Sequence, residues 1–483
     1  MVPPVSTPET PDASPRPAWP WLRAWPYLVV IVVALLGSAL HAAQYTPLSP
    51  FDESRHVDYM ARLYEDGHIV KLGDKLGDTA MRLEACRGVD VQGFVPPPCA
   101  TRRFDPVDFR DEGYNNAVNN PPLYYVVTGG VASLVKGVGL SDSILDPARL
   151  MGGVWLALGL ALAVYAGELL GVRRVPLVAA AVIFALAAEP LLMASTVNAD
   201  SASVFAGALT LVVALLWQRR RLGVGWLLAV GAVAAAFKMT NLIGVGIVAA
   251  WLLTEAYRSH RSRAAGDDAD SPAGTDGDDA DAGVDPGDAD AGDAERTVRE
   301  YLWATGLVVA GAVGVTVLWL AIAGARATID ALDLPSNRQF YEPGFPFRTF
   351  VVRQNVFSLF PPVDGFRAPV LDTPMNQTVG YASDLLASAV LVVALLRYDV
   401  RNRIGTLAAW TGALLLVAGP AFILSTWVVN RVIFEPVGRY GLSAIAMIVV
   451  ATGAAVKGKV GTVLISMFAV LVACTVLGTL AFS

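Results

Sequence analysis

The chain reads as an all-α polytopic membrane protein with about eleven transmembrane helices, and three observations carry that reading. Of its 483 residues, 54% are hydrophobic and only 16% charged, with a mean hydropathy of +0.51, a balance foreign to ordinary soluble domains. Apolar windows long enough to approach the width of a hydrocarbon core recur along the whole chain. Clusters of Lys and Arg fall in alternate loops, as short cytoplasmic loops require. The net charge of -6 does not describe the membrane part, because eleven aspartates crowd into 267–293 without one basic residue among them. No stripe interleaves basic and aromatic residues, so nothing in the sequence points to nucleic acid.

The first 24 residues are Pro-rich and are expected to be a disordered cytoplasmic N-terminus. The apolar run 26–43 has two readings: a cleaved signal peptide, with small residues near Ala39 and Ala42, or an uncleaved anchor. Its length and the need to tether the loop after it favour the anchor. With the window 25–43, apolar windows at 148–170, 175–195, 201–217, 222–237, 241–257, 301–323, 381–396, 405–427, 441–456 and 460–481 make up the eleven. The segment 121–138 is apolar but short, opens with two prolines and contains Gly129, Gly130, Lys136 and Gly137. If it does not cross, Arg173-Arg174, Arg219-Arg220-Arg221, the basic stretches 258–263 and 397–403, and Lys457 with Lys459 all fall on the cytoplasmic side. If it crosses, all of them flip outward, so it is read as a re-entrant or interfacial helix.

That orientation sorts the loops. Two long ones, 44–120 and 324–380, and the turns 195–200, 238–241 and 430–439 are extracytoplasmic, with the whole chain in the plasma membrane. The acidic stretch is a solvated cytoplasmic linker, too poor in apolar residues to fold. The organisation is then a membrane module at 25–260, a disordered acidic loop at 261–298 and a C-terminal membrane region at 299–483. Cys86 and Cys99 both lie in the first long loop, where a disulfide is expected if the loop faces an oxidising compartment. Cys474 lies in an apolar run and reads as a packing residue.

Charge at the edge of hydrocarbon is expensive unless something uses it. Immediately after the first span comes Pro50-Phe51-Asp52-Glu53-Ser54-Arg55-His56. Asn119-Asn120-Pro121-Pro122-Leu123-Tyr124-Tyr125 follows, then Asn198 and Asp200, Phe237-Lys238-Met239-Thr240 with Asn241, and late in the chain Gly438-Arg439-Tyr440. Each has a plain structural reading, such as a helix cap for Asp200 or headgroup snorkelling for Arg439. Together, on one side of the membrane, they point to one site.

These motifs resemble the GT-C superfamily of membrane glycosyltransferases, most nearly aminoarabinose and protein O-mannosyl transferases and their uncharacterised bacterial relatives. The resemblance covers 25–260 and, less fully, 429–450; residues 324–380 match no known pattern. It departs at Asn120, where the family has histidine, so any support of substrate or phosphate there must come from a neutral amide by hydrogen bonding. The resemblance implies a GT-C-like bundle and inverting transfer of a sugar from a polyprenyl-phosphate donor to a glycan, lipid or protein hydroxyl at the outer face. It also implies Asp52 as general base, with Glu53 orienting the acceptor or coupled to Asp52.

His56, one helical turn from Asp52, is a candidate partner of the base or of phosphate, or else a plain surface histidine. Arg439, then Lys238, are the candidates for the leaving phosphate, with Asn119, Asn120, Tyr124, Asn198, Asp200 and Tyr440 lining the substrate. Arg338, Arg348 and Arg353 of the second long loop are further phosphate candidates, since that loop could close over the donor. No cofactor is required; a divalent metal is compatible with an acidic pair, although no His/Cys cluster has ligand spacing. The alternative function is a transporter or flippase of lipid-linked sugars, against which stand the lack of an internal repeat and the gathering of polar residues at one surface.

Overall fold

The computed structural model describes residues 20–269, 296–344, 354–363, 365 and 367–483. Most of the Pro-rich N-terminus, the acidic stretch from 270 onward, and Arg348 and Arg353 lie outside the described residues. Among the described residues the chain is helical without a β-strand, apart from three isolated bridges.

All eleven apolar windows form helices. The first is α1 (Pro20–Gln44). The first long loop carries α2 (Glu53–Glu65) and α3 (Asp78–Arg87) before α4 (Leu123–Gly137). Then come α5 (Leu145–Leu169), α6 (Arg174–Ala185), α7 (Ala188–Ser195), α8 (Ser203–Gln218), α9 (Gly225–Phe237) and α10 (Leu242–Ala269). The C-terminal part has α11 (Val298–Arg326), the single turn α12 (Pro335–Arg338), α13 (Pro374–Leu396), α14 (Arg403–Asn430), α15 (Ile445–Ala455) and α16 (Gly458–Phe482).

By length and composition fewer helices pass as spans than there are windows, although α9 still returns the chain from Gln218 to Lys238 beside Asp200. Among the described residues nine helices are long and apolar enough to span, and the α6–α7 pair, bent by 64°, makes a tenth if it is one span. Pro190 accounts for the bend, because its ring has no N–H for the Leu186 carbonyl and would clash with it in a continuous helix. The eleventh window is α9, only 13 residues and so about 20 Å long against roughly 30 Å of hydrocarbon. Helix α4 is similarly short at 15 residues, as a segment that does not fully cross would be.

Two boundaries differ from expectation. Helix α1 starts at Pro20, not 25, and α10 continues to Ala269, so 261–269 is helical where disorder is expected. On the other side of the acidic stretch Thr297 and Glu300 form a capping box that starts α11.

The 25–260 and 299–483 regions share one apolar core. Within it α8 is innermost, with 83% of its span window buried, whereas α11, α13, α14 and α16 bury 22% and turn apolar surface outward, as lipid-facing helices do. Gly207 of α8 lies against the Ser443 carbonyl so closely that no Cβ fits, which draws the 3-10 turn Gly438–Ala444 onto α8. A second, smaller core joins α2, α4 and the start of α5 to Val197 and Phe237. Thus the first long loop is not a loose excursion: it packs on the bundle end, and Cys86 and Cys99 are joined by a disulfide within it.

Candidate active site

Three spanning helices enter the bundle through short 3-10 turns at the same end. Ala199–Ala202 precedes α8, Met239–Asn241 precedes α10 and Gly438–Ala444 precedes α15. Such turns leave backbone and side chains free to face one another at the helix mouths. They bring Asp200, Lys238 and Arg439 into contact: the Asp200 carboxylate lies 2.6 Å from Lys238 Nζ and 3.1 Å from Arg439 Nε, and all three are buried. The Arg439 guanidinium also stacks over Phe51 at 4.5 Å and Tyr440 at 5.4 Å, while Lys238 lies 5.3 Å from the Tyr440 ring. Asp200 thus faces two cations, with Asp52 and Glu189 also near Arg439, and Arg439 Nη1 is buried with no hydrogen-bond partner among the described residues.

Asp52 stands beside this cluster in an unusual posture. It is the N-cap of α2, yet its side chain makes no capping bond, and its backbone is left-handed at φ 64°. An aspartate at this position ordinarily bonds the first free amides of the helix. Here the carboxylate instead accepts from Asn116 Nδ2 at 3.2 Å and feels the charges of Arg55 and Arg439. Burial works to raise its pKa, but Arg55 and Arg439 outweigh burial and hold the group below its usual range, so Asp52 is a carboxylate at neutral pH. Asp52, Asn116 and Tyr440 are half-buried, which makes them the accessible edge of the cluster.

The adjacent Glu53 has another task than the one expected from the sequence. It is buried, and both oxygens are saturated: Arg149 Nε and Nη2 at 2.8 Å each, and the amides of Ser49 at 2.7 Å and Val197 at 2.8 Å. Arg149 also donates to the carbonyls of Tyr45 and Pro47. This node ties the end of α1 to α5 and to the segment before α8, leaving Glu53 no lone pair directed at a substrate. Its role as acceptor-orienting group is therefore corrected to a structural one.

The remaining residues divide similarly. His56 lies inside the fold, its Nδ1 2.7 Å from Tyr125 Oη; burial, with Lys238 adding, pushes its pKa down to about 3, so it is a neutral hydrogen-bonding group. Burial likewise lowers the Lys238 pKa, with Asp200 opposing and Arg439 adding. Asn198 caps its own turn, accepting from the Asp200 amide at 2.9 Å and donating to the Phe51 carbonyl at 3.1 Å. Asn241 donates to the Ala234 carbonyl at 3.0 Å. Asn120 donates to the Ala117 carbonyl at 3.1 Å, whereas Asn119 is exposed; Tyr124 is buried in the smaller core, edge-on to Tyr125 at 5.3 Å. Asn119 is thus exposed, and Tyr124 is packed in the smaller core beside Asn198 and Ser201. Arg338 is exposed and bonds the Leu332 carbonyl locally, away from the cluster.

Several contributors were not singled out from the sequence. Arg55 is fully buried, held by the Arg110 carbonyl at 2.7 Å and Asp111 at 3.2 Å. Asn115 braces α2 through the Arg55 carbonyl and Asp58. Glu189 of α7 is buried near enough to Arg439 to attract it, and its amide donates to Val363 of the second long loop. Pro362 of that loop packs on Gly441, so part of 354–363 roofs the Arg439 turn. For Arg149 a signal existed: an arginine opening an otherwise apolar helix demands a buried partner. Among the described residues no group of three or more His, Cys, Asp or Glu is placed to hold a metal ion.

The fold and this end-on cluster define an all-α polytopic membrane protein with a charged site at one end of the bundle. No family model and no curated protein matches the chain. Among solved structures it is similar to ArnT from Cupriavidus metallidurans bound to undecaprenyl phosphate, with a TM-score of 0.42 and 16% identity over 91% of this chain and 60% of that one. It is also similar to ArnT in the apo state, with a TM-score of 0.44, 16% identity and coverage of 90% and 60%. The chain spans about 60% of the length of these ArnT structures.

Proposed function

We propose that this protein is a GT-C-type inverting glycosyltransferase that moves a sugar from a polyprenyl-phosphate donor to an acceptor hydroxyl at the extracytoplasmic face of the plasma membrane. The observation that carries the reading is the posture of Asp52: an ionised, half-buried carboxylate turned away from its own helix, beside a cluster in which two buried cations share one aspartate. A capping role would explain the residue type but not the direction of its side chain.

In this mechanism Asp52 takes the proton of the acceptor hydroxyl as that oxygen bonds to the anomeric carbon. The bond from that carbon to the phosphate oxygen breaks on the opposite face, which inverts the centre, and the electron pair leaves with the polyprenyl phosphate. Arg439 and Lys238 hold the developing phosphate charge, Arg439 through its unpartnered Nη1. Asp200 keeps both cations charged and aimed in a site from which water is largely excluded. Asn116 fixes the Asp52 rotamer.

The test is transfer of radiolabelled sugar from a polyprenyl-phosphate donor pool in membranes holding equal amounts of wild type and Asp52→Asn. Transfer by the wild type and its loss in the variant support the reading. Full activity of the variant removes the base. Donor movement across liposomes without any transfer by the wild type replaces the enzyme with a flippase.

A further inference from the structure

The far end of the same helices holds a second charged feature that the proposed transfer does not use. Helix α8 begins beside Asp200 and ends at Gln218, about 27 Å away along its axis. There a cavity of about 740 Å³ opens between the ends of α5, α8 and α10 and the starts of α11 and α14, lined by seven arginines and one glutamate. From the geometry we infer a binding site for a phosphate-bearing anion in this cavity, separate from the cluster around Asp52.

The arginines are ordered before any ligand arrives. Arg296 donates to the Trp217 carbonyl at 2.6 Å and stacks over the Trp217 ring at 4.5 Å. Arg403 donates to Gln218 Oε1 at 2.7 Å, and Arg258 to Thr406 Oγ1 at 2.7 Å. Glu255 pairs with Arg258 and Arg403, and Glu300 with Arg296 and Arg220. One lining carboxylate, Glu255, with Glu300 paired just outside it, set against seven guanidinium groups, leaves the lining positive. Two donors, Arg296 Nε and Gln218 Nε2, are buried without a hydrogen-bond partner among the described residues, which marks room for an acceptor.

Planar guanidinium forks match the oxygens of a phosphate, several at once, better than they match scattered single charges. Position adds to this. The cavity lies where spans end and its wall includes Leu169, Leu215 and Tyr301, the depth and mixed character of a lipid headgroup site between helices. The shared chemistry is a phosphate group, carried either by an anionic phospholipid headgroup or by free inorganic phosphate or pyrophosphate.

The experiment uses the full chain in phosphatidylcholine nanodiscs. Native mass spectrometry counts phosphatidylglycerol retained as its fraction is raised, and equilibrium binding follows labelled inorganic phosphate and pyrophosphate. The comparison is with the double variant Arg221→Gln/Arg401→Gln, whose two positions are exposed and whose folding is checked by its melting curve. Saturable binding near one per chain, weakened about tenfold or more in the variant, supports the site. Retention of phosphatidylglycerol alone assigns it to a headgroup, and binding of inorganic phosphate that displaces the lipid assigns it to free phosphate. Absence of both ligands from the wild type, or unchanged affinity in the variant, overturns it. If binding emerges only when the eleven aspartates of 267–293 are replaced by asparagine, the cavity belongs to the chain's own acidic segment, and the proposal is overturned.

Discussion

Two buried ionic clusters meet at residues 52 and 53, and they are built on opposite plans. Around Glu53 every oxygen is matched by a donor from Arg149 or a backbone amide, so the cluster is closed. Around Asp52 pairing stays incomplete among the described residues: Asp200 serves two cations, Arg439 Nη1 has no hydrogen-bond partner, and Asp52 accepts from Asn116 with a half-buried side chain. Saturation is what a group that holds the fold needs, whereas the incomplete pairing around Asp52 is what the proposed transfer would use.

The sharpest way to break this contrast is to neutralise the two neighbours separately. Asp52→Asn should lower transfer by about 10² to 10⁴ while the melting temperature of the membrane-extracted protein stays near wild type. Glu53→Gln should do the reverse, costing about 3–5 kcal/mol of stability because Arg149 is left buried without its counter-charge, and showing as low abundance and an early melt. If the folded fraction of Glu53→Gln is also inactive, Glu53 is not merely structural. Equal losses of stability in the two variants would erase the distinction between the clusters.

A smaller effect is expected at Arg439. Arg439→Lys keeps the charge but loses the fork and the stacking on Phe51, so donor affinity in the purified enzyme should weaken by about tenfold. Unchanged donor affinity would return Arg439 to a structural partner of Asp200.

The smallest effect is a pH dependence from His56. Its folded pKa of about 3 lies below the ordinary value of 6.5, so the unfolded chain takes up a proton that the folded chain refuses. Stability from this group is complete above pH 6.5 and is lost as pH falls from 6.5 toward 3, with a slope of at most about 1.4 kcal/mol per pH unit. His56→Gln should flatten the melting profile across that window; an unaltered slope would show that His56 is not its source.

The membrane class, the eleven apolar windows and the short character of 121–138 were legible in the sequence, because spans are written in local composition and length. The gathering of Asp52, Asp200, Lys238 and Arg439 was legible too, because each sits beside an apolar run on what the charge pattern makes one side. Which partner each charge takes was not. Asp52 and Glu53 are neighbours of similar chemistry, and only the arrival of Arg149 from α5, Asn116 from the first loop and Arg439 from beyond residue 430 separates their tasks. The arginines of the far cavity likewise read locally as short cytoplasmic loops, since nothing in 219–221, 258, 296 or 401–403 alone says that these loops face one another. Hydrophobic length is a property of one segment, but the pairing of a buried charge belongs to contacts between segments far apart in the chain, which only the packed bundle decides.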